Sequence, residues 1–443
     1  MLSVLANRTY RHLFLAQIIA LVGTGLATVA LGLLAYDIAG ADAGAVLGTA
    51  MAIKMIAYIG VAPIVGAYAS RLPRRSFLVA MDAIRGLVAL ALPFVDQVWQ
   101  VYVLIFVLQS ASAGFTPTFQ ATIPDVLPDE KDYTNALSLS RLAYDMESLT
   151  SPMLAAALLT VMNFHWLFSG TAIGFACSAL LVLTTVLPRS AAKPKGGIYD
   201  NTTRGARLYL KTPRLRGLLA VTLAAAAASA MVIVNTPVLV QAALGLGQRE
   251  VAITLAAFGG GSMLAALLLP RLLDKLPDRT VMLAAASVMT VALAVLALSW
   301  RGHASPGYWS VILAGWALLG IAYSASITPG GRLLRRSSGE ADRPALFAAQ
   351  FALSHVCWLV AYPLAGQTGA QGGMGLAFAA AAALSLIGAG IAFLIWPRED
   401  ADVVEHDHDT LPPDHPHLVE GHPQGRAAHT FVIDELHPHW PIR

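Results

Sequence analysis

Twelve apolar stretches, each long enough to cross a bilayer as a helix and bounded by polar connections, constrain this chain more than any other feature of it. They run near residues 13–36, 46–68, 77–95, 99–116, 136–161, 165–187, 217–240, 251–269, 281–300, 308–328, 345–364 and 374–396. A helical crossing takes about 20 apolar residues. None of the runs alternates as a barrel strand would, and backbone groups in hydrocarbon must be satisfied within their own segment, so each is expected to be a helix. Only 12% of the residues are charged, against about 25% in an average soluble chain. The expected class is an all-α membrane protein with twelve transmembrane helices in the lipid bilayer. Cys177 and Cys357 fall inside apolar runs and offer no disulfide framework or paired-thiolate metal site. The first run is followed by further spans and reads as a helix, not a cleaved leader.

Lysine and arginine mark the orientation. One side carries Arg8, Arg11, Arg71, Arg74, Arg75, the cluster from Arg189 to Arg216, Arg271, Lys275, Arg279, Arg332, Arg335, Arg336, Arg343 and Arg398; the other carries Arg249 and Arg301. Positive charge stays inside, which places both termini in the cytoplasm of a bacterial-type inner membrane. The net charge of +3 hides a second asymmetry. Residues 397–443 hold ten acidic and three basic side chains, leaving 26 basic and 16 acidic in the apolar body.

The chain also repeats itself. The longest inner connection, 188–216, separates six spans from six and holds a basic linker, "PRSAAKPKGG", and a surface-helix pattern, "RGARLYLKTPRLRG". After span 2 comes "GAYASRLPRR" (66–75) and after span 8 "PRLLDKLPDR" (270–279); spans 4 and 10 end in Thr116-Pro117 and Thr328-Pro329. The expected organisation is a six-helix bundle over 1–187, a linker over 188–216, a second bundle over 217–396 and a tail over 397–443.

Twelve spans, a 6+6 division and a short basic loop after spans 2 and 8 resemble the major facilitator superfamily, whose loop pattern is G-x-x-x-D-R/K-x-G-R-R/K. The first copy keeps Gly66, Arg71, Arg74 and Arg75 but has Ser70 and Pro73 in place of the acid and the glycine; the second keeps Asp274, Lys275 and Arg279. The resemblance implies a 6+6 carrier with gating loops at Arg71, Arg75, Asp274, Lys275 and Arg279. The stretch "GFTPTFQATIPDVLPDEKDYTNALSLSR" (114–141) is similar to the drug and siderophore exporters of that superfamily. Its antiporters often carry Gly-Pro in span 5, where this chain has Ser151-Pro152.

A charge at the centre of a membrane helix costs roughly 2.5–3.5 kcal/mol on insertion scales, so each one needs a reason. The candidates for transport or proton coupling are Lys54, Asp82, Arg85, Arg141, Asp145, Glu147 and His355. At 1.5 Å per residue, Asp145 and Lys54 lie about 13 Å and His355 about 15 Å into their spans, near the midplane, where secondary transporters bind cargo. Structural readings stand beside these. Arg141 and Asp145, four residues apart, can form a plain ion pair. Asp82 and Arg85 can be a packing or gating pair, and His355 a hydrogen-bonded packing residue. Glu147 points away from Asp145 and can be a separate proton site or a partner for Lys54.

The tail is of another composition. Eight of the chain's twelve histidines lie there: His406, His408, His415, His417, His422, His429, His437 and His439. Imidazoles beside Asp407, Asp409 and Asp414 suit a borderline divalent ion, and the lack of thiolates argues against Cu(I). Prolines and missing apolar periodicity predict a disordered cytoplasmic segment. A merely solvated acidic tail and a pH-sensing one are the competing readings. The final "FVIDELHPHW" is apolar and patterned, and is expected to dock on the inner face, bringing His437 and His439 near the exit path.

A His-rich tail on such a body resembles the nickel-resistance permeases, and the segment 328–366 with His355 is similar to that group. The resemblance implies export of Ni²⁺, or of Co²⁺. Proton antiport is the expected coupling, with the metal ion and protons as partners, no resident cofactor, no nucleic acid, and a monomer. The alternatives are export of a drug or siderophore with the tail as a metal-responsive regulator, and a metal sensor whose body moves nothing. No nucleotide loop, nucleophile triad or HExxH motif suggests an enzyme.

Overall fold

The structure, a computed structural model, describes residues 2–39, 43–69, 72–188, 198–300, 306–398, 403–407 and 426–430, together with residues 432, 433, 437 and 440. In the first half the apolar runs become α1 (Arg8–Ala39), α2 (Ala43–Ala69), α3 (Arg74–Ala91), α4 (Val98–Val126), α5 (Glu130–Leu159) and α6 (His165–Leu183). The second half contains α8 (Pro213–Pro237), α9 (Gln248–Leu273), α10 (Asp278–Ser299), α11 (Trp309–Ile327) and α13 (Arg343–Ile395), with α7 (Ile198–Lys211) and α12 (Gly330–Arg336) as short connecting helices.

Among the described residues nine helices are long and apolar enough to cross a membrane. One of them, α13, is 53 residues long and breaks at Gly373, whose φ of 71° interrupts the helix; its two arms are separate spans. The two remaining spans are α2, whose apolar stretch is the shorter Thr49–Val65, and α5, which is loaded with ionisable residues. The chain thus has twelve transmembrane helices in two sets of six. Their outer faces expose large apolar side chains such as Leu87, Val291, Leu298, Ile387 and Leu394, as lipid contact requires.

Local signals account for the helix ends. Asp129 caps α5 by accepting the amide of Asp132 at 2.9 Å, and Gln97 and Gln100 cap α4 reciprocally. Pro237 cannot donate to the ladder, and α8 continues as a wider π turn over Val238–Ala243.

Within the first six helices α1 and α3 pack on α6, and α2 on α4; within the second, α8 and α10 pack on α13, and α9 on α11. Small residues allow the closest approaches. Thr171 on α6 donates to the carbonyl of Gly23 on α1 at 2.8 Å, and a Cβ on Gly320 would strike the backbone of Phe258 on α9. The two sets meet along α2 with α13 and α5 with α9. The ends of α2, α4, α6, α9 and α12 and the starts of α3, α5, α8, α10 and α13 lie at one end of the bundle, called here the arginine end.

The connecting helix α7 is fastened at that end. Arg204 holds Asp342 with two bonds of 2.6 and 3.1 Å, and Tyr209 donates to Gln350. The described residues of the tail include two strands, β1 (Val403–Asp407) and β2 (Arg426–Thr430), paired antiparallel from Val403↔Thr430 to Asp407↔Arg426. Ile433 and His437 are buried, and Trp440 lies over the guanidinium of Arg214 at the start of α8, 4.8 Å from its ring centre. The tail end therefore docks at the arginine end, as its apolar pattern suggests. The remainder of the segment expected to be disordered, and the linker 189–197, lie outside the described residues.

Candidate functional site

A cavity of about 230 Å³ lies between the two sets of helices. Its wall combines aromatic rings (Phe119, Phe347, Phe351, Trp358), amides (Gln17, Gln120, Gln350), hydroxyls (Ser140, Tyr144, Thr222, Thr328, Ser354) and a single charged residue, Arg141. Arg141 and Asp145 share one face of α5 because they are four residues apart, and they form an ion pair. The pair reaches across to the other half. Ser262 on α9 donates to Asp145 at 2.6 Å and accepts from Arg141 Nε at 3.3 Å, and the guanidinium lies 4.9 Å from the ring centre of Tyr323 on α11. Asp145 is 2% exposed, so its charge is compensated inside the protein and not by water.

A second cluster occupies the α2–α13 contact. The ring of Tyr58 meets His355 edge-on at 4.6 Å and Phe351 at 4.8 Å, and its hydroxyl donates to Gln109 at 2.8 Å. His355 Nδ1 lies 2.7 Å from the carbonyl of Phe351, the bond a packed helical histidine makes to the preceding turn. Lys54 lies 5.5 Å from the Tyr58 ring centre and is near enough to Glu147 on α5 for the two charges to attract. Room for Glu147 comes from Gly25 on α1, where a Cβ would sit 2.5 Å from Oε1.

At the arginine end, ion pairs close the gap between the halves. Asp125, in the last turn of α4, is held by Arg74 at the start of α3 and by Arg343 at the start of α13. Arg332 on α12 is paired with Asp278 at the start of α10 at 3.1 Å and with Glu130 at the start of α5 at 2.5 Å. Arg336 adds a bond of 3.2 Å to Asp278. Around them Arg332 donates to Thr134 at 2.6 Å, Tyr133 to the carbonyl of Gly331 at 3.2 Å, and Arg335 to that of Pro128.

A cavity between two six-helix sets, sealed at the arginine end by charged helix termini, matches the family comparison. The Major Facilitator Superfamily model aligns with residues 13–247 and 218–414. The chain belongs to the major facilitator superfamily. Similar solved structures include the human organic anion transporter MFSD10 (TM-score 0.74, 13% identity, 87% of this chain and 99% of that one). A bacterial homologue of the iron transporter ferroportin in an outward-facing state is similar too (0.71, 14%, 87% and 98%), as is the E. coli fucose:proton symporter (0.68, 13%, 87% and 98%). At these identities they share the superfamily fold. Among curated relatives, the uncharacterized MFS-type transporter YfiS of Bacillus subtilis (strain 168) is 26% identical over 141 residues, covering 32% of this chain and 33% of that protein. Macrolide efflux protein A of Enterococcus faecalis is 24% identical over 153 residues, 32% of this chain and 47% of that protein. The matches thus span a third to a half of the relatives' own lengths.

The expected site residues separate into groups on this superfamily fold. Arg141 and Asp145 face the interface of the halves. Lys54, Glu147 and His355 line the neighbouring α2–α13 side, and His355 and Asp145 belong to different clusters. Asp82 and Arg85 stay within the first half. They pair with each other, Ser178 donates to Asp82 at 2.8 Å, and the Arg85 guanidinium is stacked between Phe115 and Phe175 at 4.0 and 4.5 Å.

Of the loop residues, Arg71 lies outside the described residues, and Arg75, Asp274 and Lys275 are exposed. Arg279 donates to the carbonyl of Trp396 at 3.4 Å. The groups that join the halves are Arg74, which the loop pattern includes, and Asp125, Glu130, Asp278, Arg332 and Arg343, which it did not single out.

No group of three or more His, Cys, Asp or Glu able to hold a metal ion occurs among the described residues. His406 and His429 lie on the paired strands and His437 is buried. His408, His415, His417, His422 and His439 lie outside the described residues.

Proposed function

We propose that this chain is a secondary active exporter that works by alternating access, with the arginine end facing the cytoplasm and cargo driven outward by inward proton flow. The cargo that the cavity suits best is a small amphipathic organic solute. The observation that carries this reading is the cavity wall: rings to cover apolar surface, amides and hydroxyls to orient a polar group, and no carboxylate. The Enterococcus relative is a macrolide efflux protein, and a macrolide too is an amphipathic organic solute.

Asp145 is the proposed proton acceptor. A proton there dissolves its bond to Arg141 and weakens the hold on Ser262, loosening α5 from α9, one of the two contacts along which the halves must move. The docked tail end then acts as a regulator at the cytoplasmic face.

Export of Ni²⁺ or Co²⁺ is the second reading, favoured by the eight tail histidines. The two readings separate in inverted membrane vesicles loaded with a pH-sensitive dye. Proton release on adding aromatic or amphipathic solutes, absent in Asp145→Asn, supports the first. Release on adding Ni²⁺ alone supports the second, and release with neither removes proton-coupled export.

A further inference from the structure

A second cavity, of about 210 Å³, opens at the arginine end between the two halves. Its charged wall consists of Arg74 and Asp125 from the first half and Arg335, Glu340 and Arg343 from the second. We propose that this cavity binds an anion of the phosphate class, either a free phosphate or the headgroup of an anionic lipid, and that the bound anion clamps the arginine end shut.

Donor accounting comes first. Each guanidinium has five N–H donors. Asp125 is already occupied by Arg74 and Arg343, and Arg335 uses one nitrogen on the carbonyl of Pro128. Arg335 Nη1 and Arg343 Nε remain buried without a hydrogen-bond partner among the described residues. Buried donors without acceptors are costly, and a turn of the two guanidiniums toward the cavity would bring these donors onto a tetrahedral oxyanion.

Charge and backbone point the same way. Three guanidiniums face two carboxylates, and Glu340 is exposed at the rim, so the interior is electropositive. Arg74 is the first residue of α3, which has no side-chain cap on its first amides. The N-terminus of α3 thus adds its partial positive charge near one carboxylate that already serves both arginines. Basic pockets between membrane helices on the cytoplasmic side suit anionic headgroups.

The consequence for motion follows from where the donors sit. Arg74 belongs to one half and Arg335 and Arg343 to the other, so the site is complete only while the arginine end is closed. A ligand that binds one conformation stabilises it.

The test uses the full chain purified in detergent. Thermal unfolding is followed while inorganic phosphate is raised, with ionic strength held constant by chloride. A parallel series uses nanodiscs of phosphatidylcholine with increasing phosphatidylglycerol. A saturable rise in the melting temperature is expected in at least one series, with its loss in Arg335→Gln. A rise in the phosphate series assigns a free anion, and a rise in the lipid series alone assigns a headgroup. Glu340→Gln, which removes the carboxylate at the rim, should lower the half-saturating concentration by about fivefold, a gain that a misfolded variant cannot imitate. No saturable shift in either series, or shifts unchanged in both variants, overturns the proposal.

Discussion

Arg332 on α12 is paired with Glu130 at the start of α5, 2.5 Å away across the boundary between the halves. This bond has a counterpart of opposite sign in the other half. The starts of α3 and of α10 carry Arg74 and Asp278. Asp125 lies in the last turn of α4 and Arg332 in the first turn of α12, and the helices that begin next carry Glu130 and Arg343. One repeat places an acid between two bases and the other a base between two acids, and each triplet borrows its third member from the opposite half.

The two triplets are unequal in burial, which predicts unequal substitutions. Asp125→Asn leaves Arg74 and Arg343 facing each other in a site where Asp125 is 12% exposed, and should cost the closed state about 3–5 kcal/mol. Glu130 is 55% exposed, so Glu130→Gln should cost no more than about 1 kcal/mol. The readout is the alkylation rate of a cysteine at Leu137, on the cavity wall, with Cys177 and Cys357 replaced by serine. Equal rates in the two variants would show that the Asp125 triplet does not hold the gate.

These residues also mark what the sequence left unread. The twelve spans were legible because runs of about 20 apolar residues admit one solution in a bilayer, and the Arg141–Asp145 pair because helical spacing dictates it. The gate was not. The loop pattern drew attention to Arg75, Asp274 and Lys275, which are exposed, while the paired groups are Arg74, which the pattern also holds, and Asp278, which departs from it. Their signal was a reversal of sign at corresponding helix termini, visible only once both repeats are aligned by their helix ends. Ser262 gave no signal at all, because its role comes from packing between helices distant in sequence.

Asp82 and Arg85 are expected to serve stability, not transport. Asp82→Asn strands a guanidinium stacked between two rings and should destabilise the protein by about 3–5 kcal/mol, whereas the double change Asp82→Leu with Arg85→Met should cost less than the single one. Melting temperatures in detergent decide it. A double variant less stable than Asp82→Asn would mean that the pair is more than a compensated charge.

His355 separates packing from coordination. In the structure its ring touches Tyr58 and Phe351 and its Nδ1 meets the backbone, contacts whose aromatic share is about 0.5–1.5 kcal/mol. Phenylalanine keeps the ring and loses the nitrogens. His355→Phe should keep export within about threefold of the parent, while His355→Ala falls further. Abolished flux in the phenylalanine variant, with normal expression, would make the imidazole a ligand or a proton carrier.

Trp440 over Arg214 makes the docked tail end testable without knowing the cargo. A cation–π contact contributes about 0.5–2 kcal/mol, so Trp440→Ala should raise the population of undocked tail by between about twofold and thirtyfold, and Trp440→Phe by less. Limited trypsin digestion of the membrane-embedded protein reads this as faster cleavage after Arg426, the first residue of β2. Arg214→Gln removes the other partner and should also accelerate cleavage, and the two changes together should fall short of the product of the single effects, because they share this contact. Additive acceleration would mean that the tail is held elsewhere and that the Trp440–Arg214 stack is incidental to it.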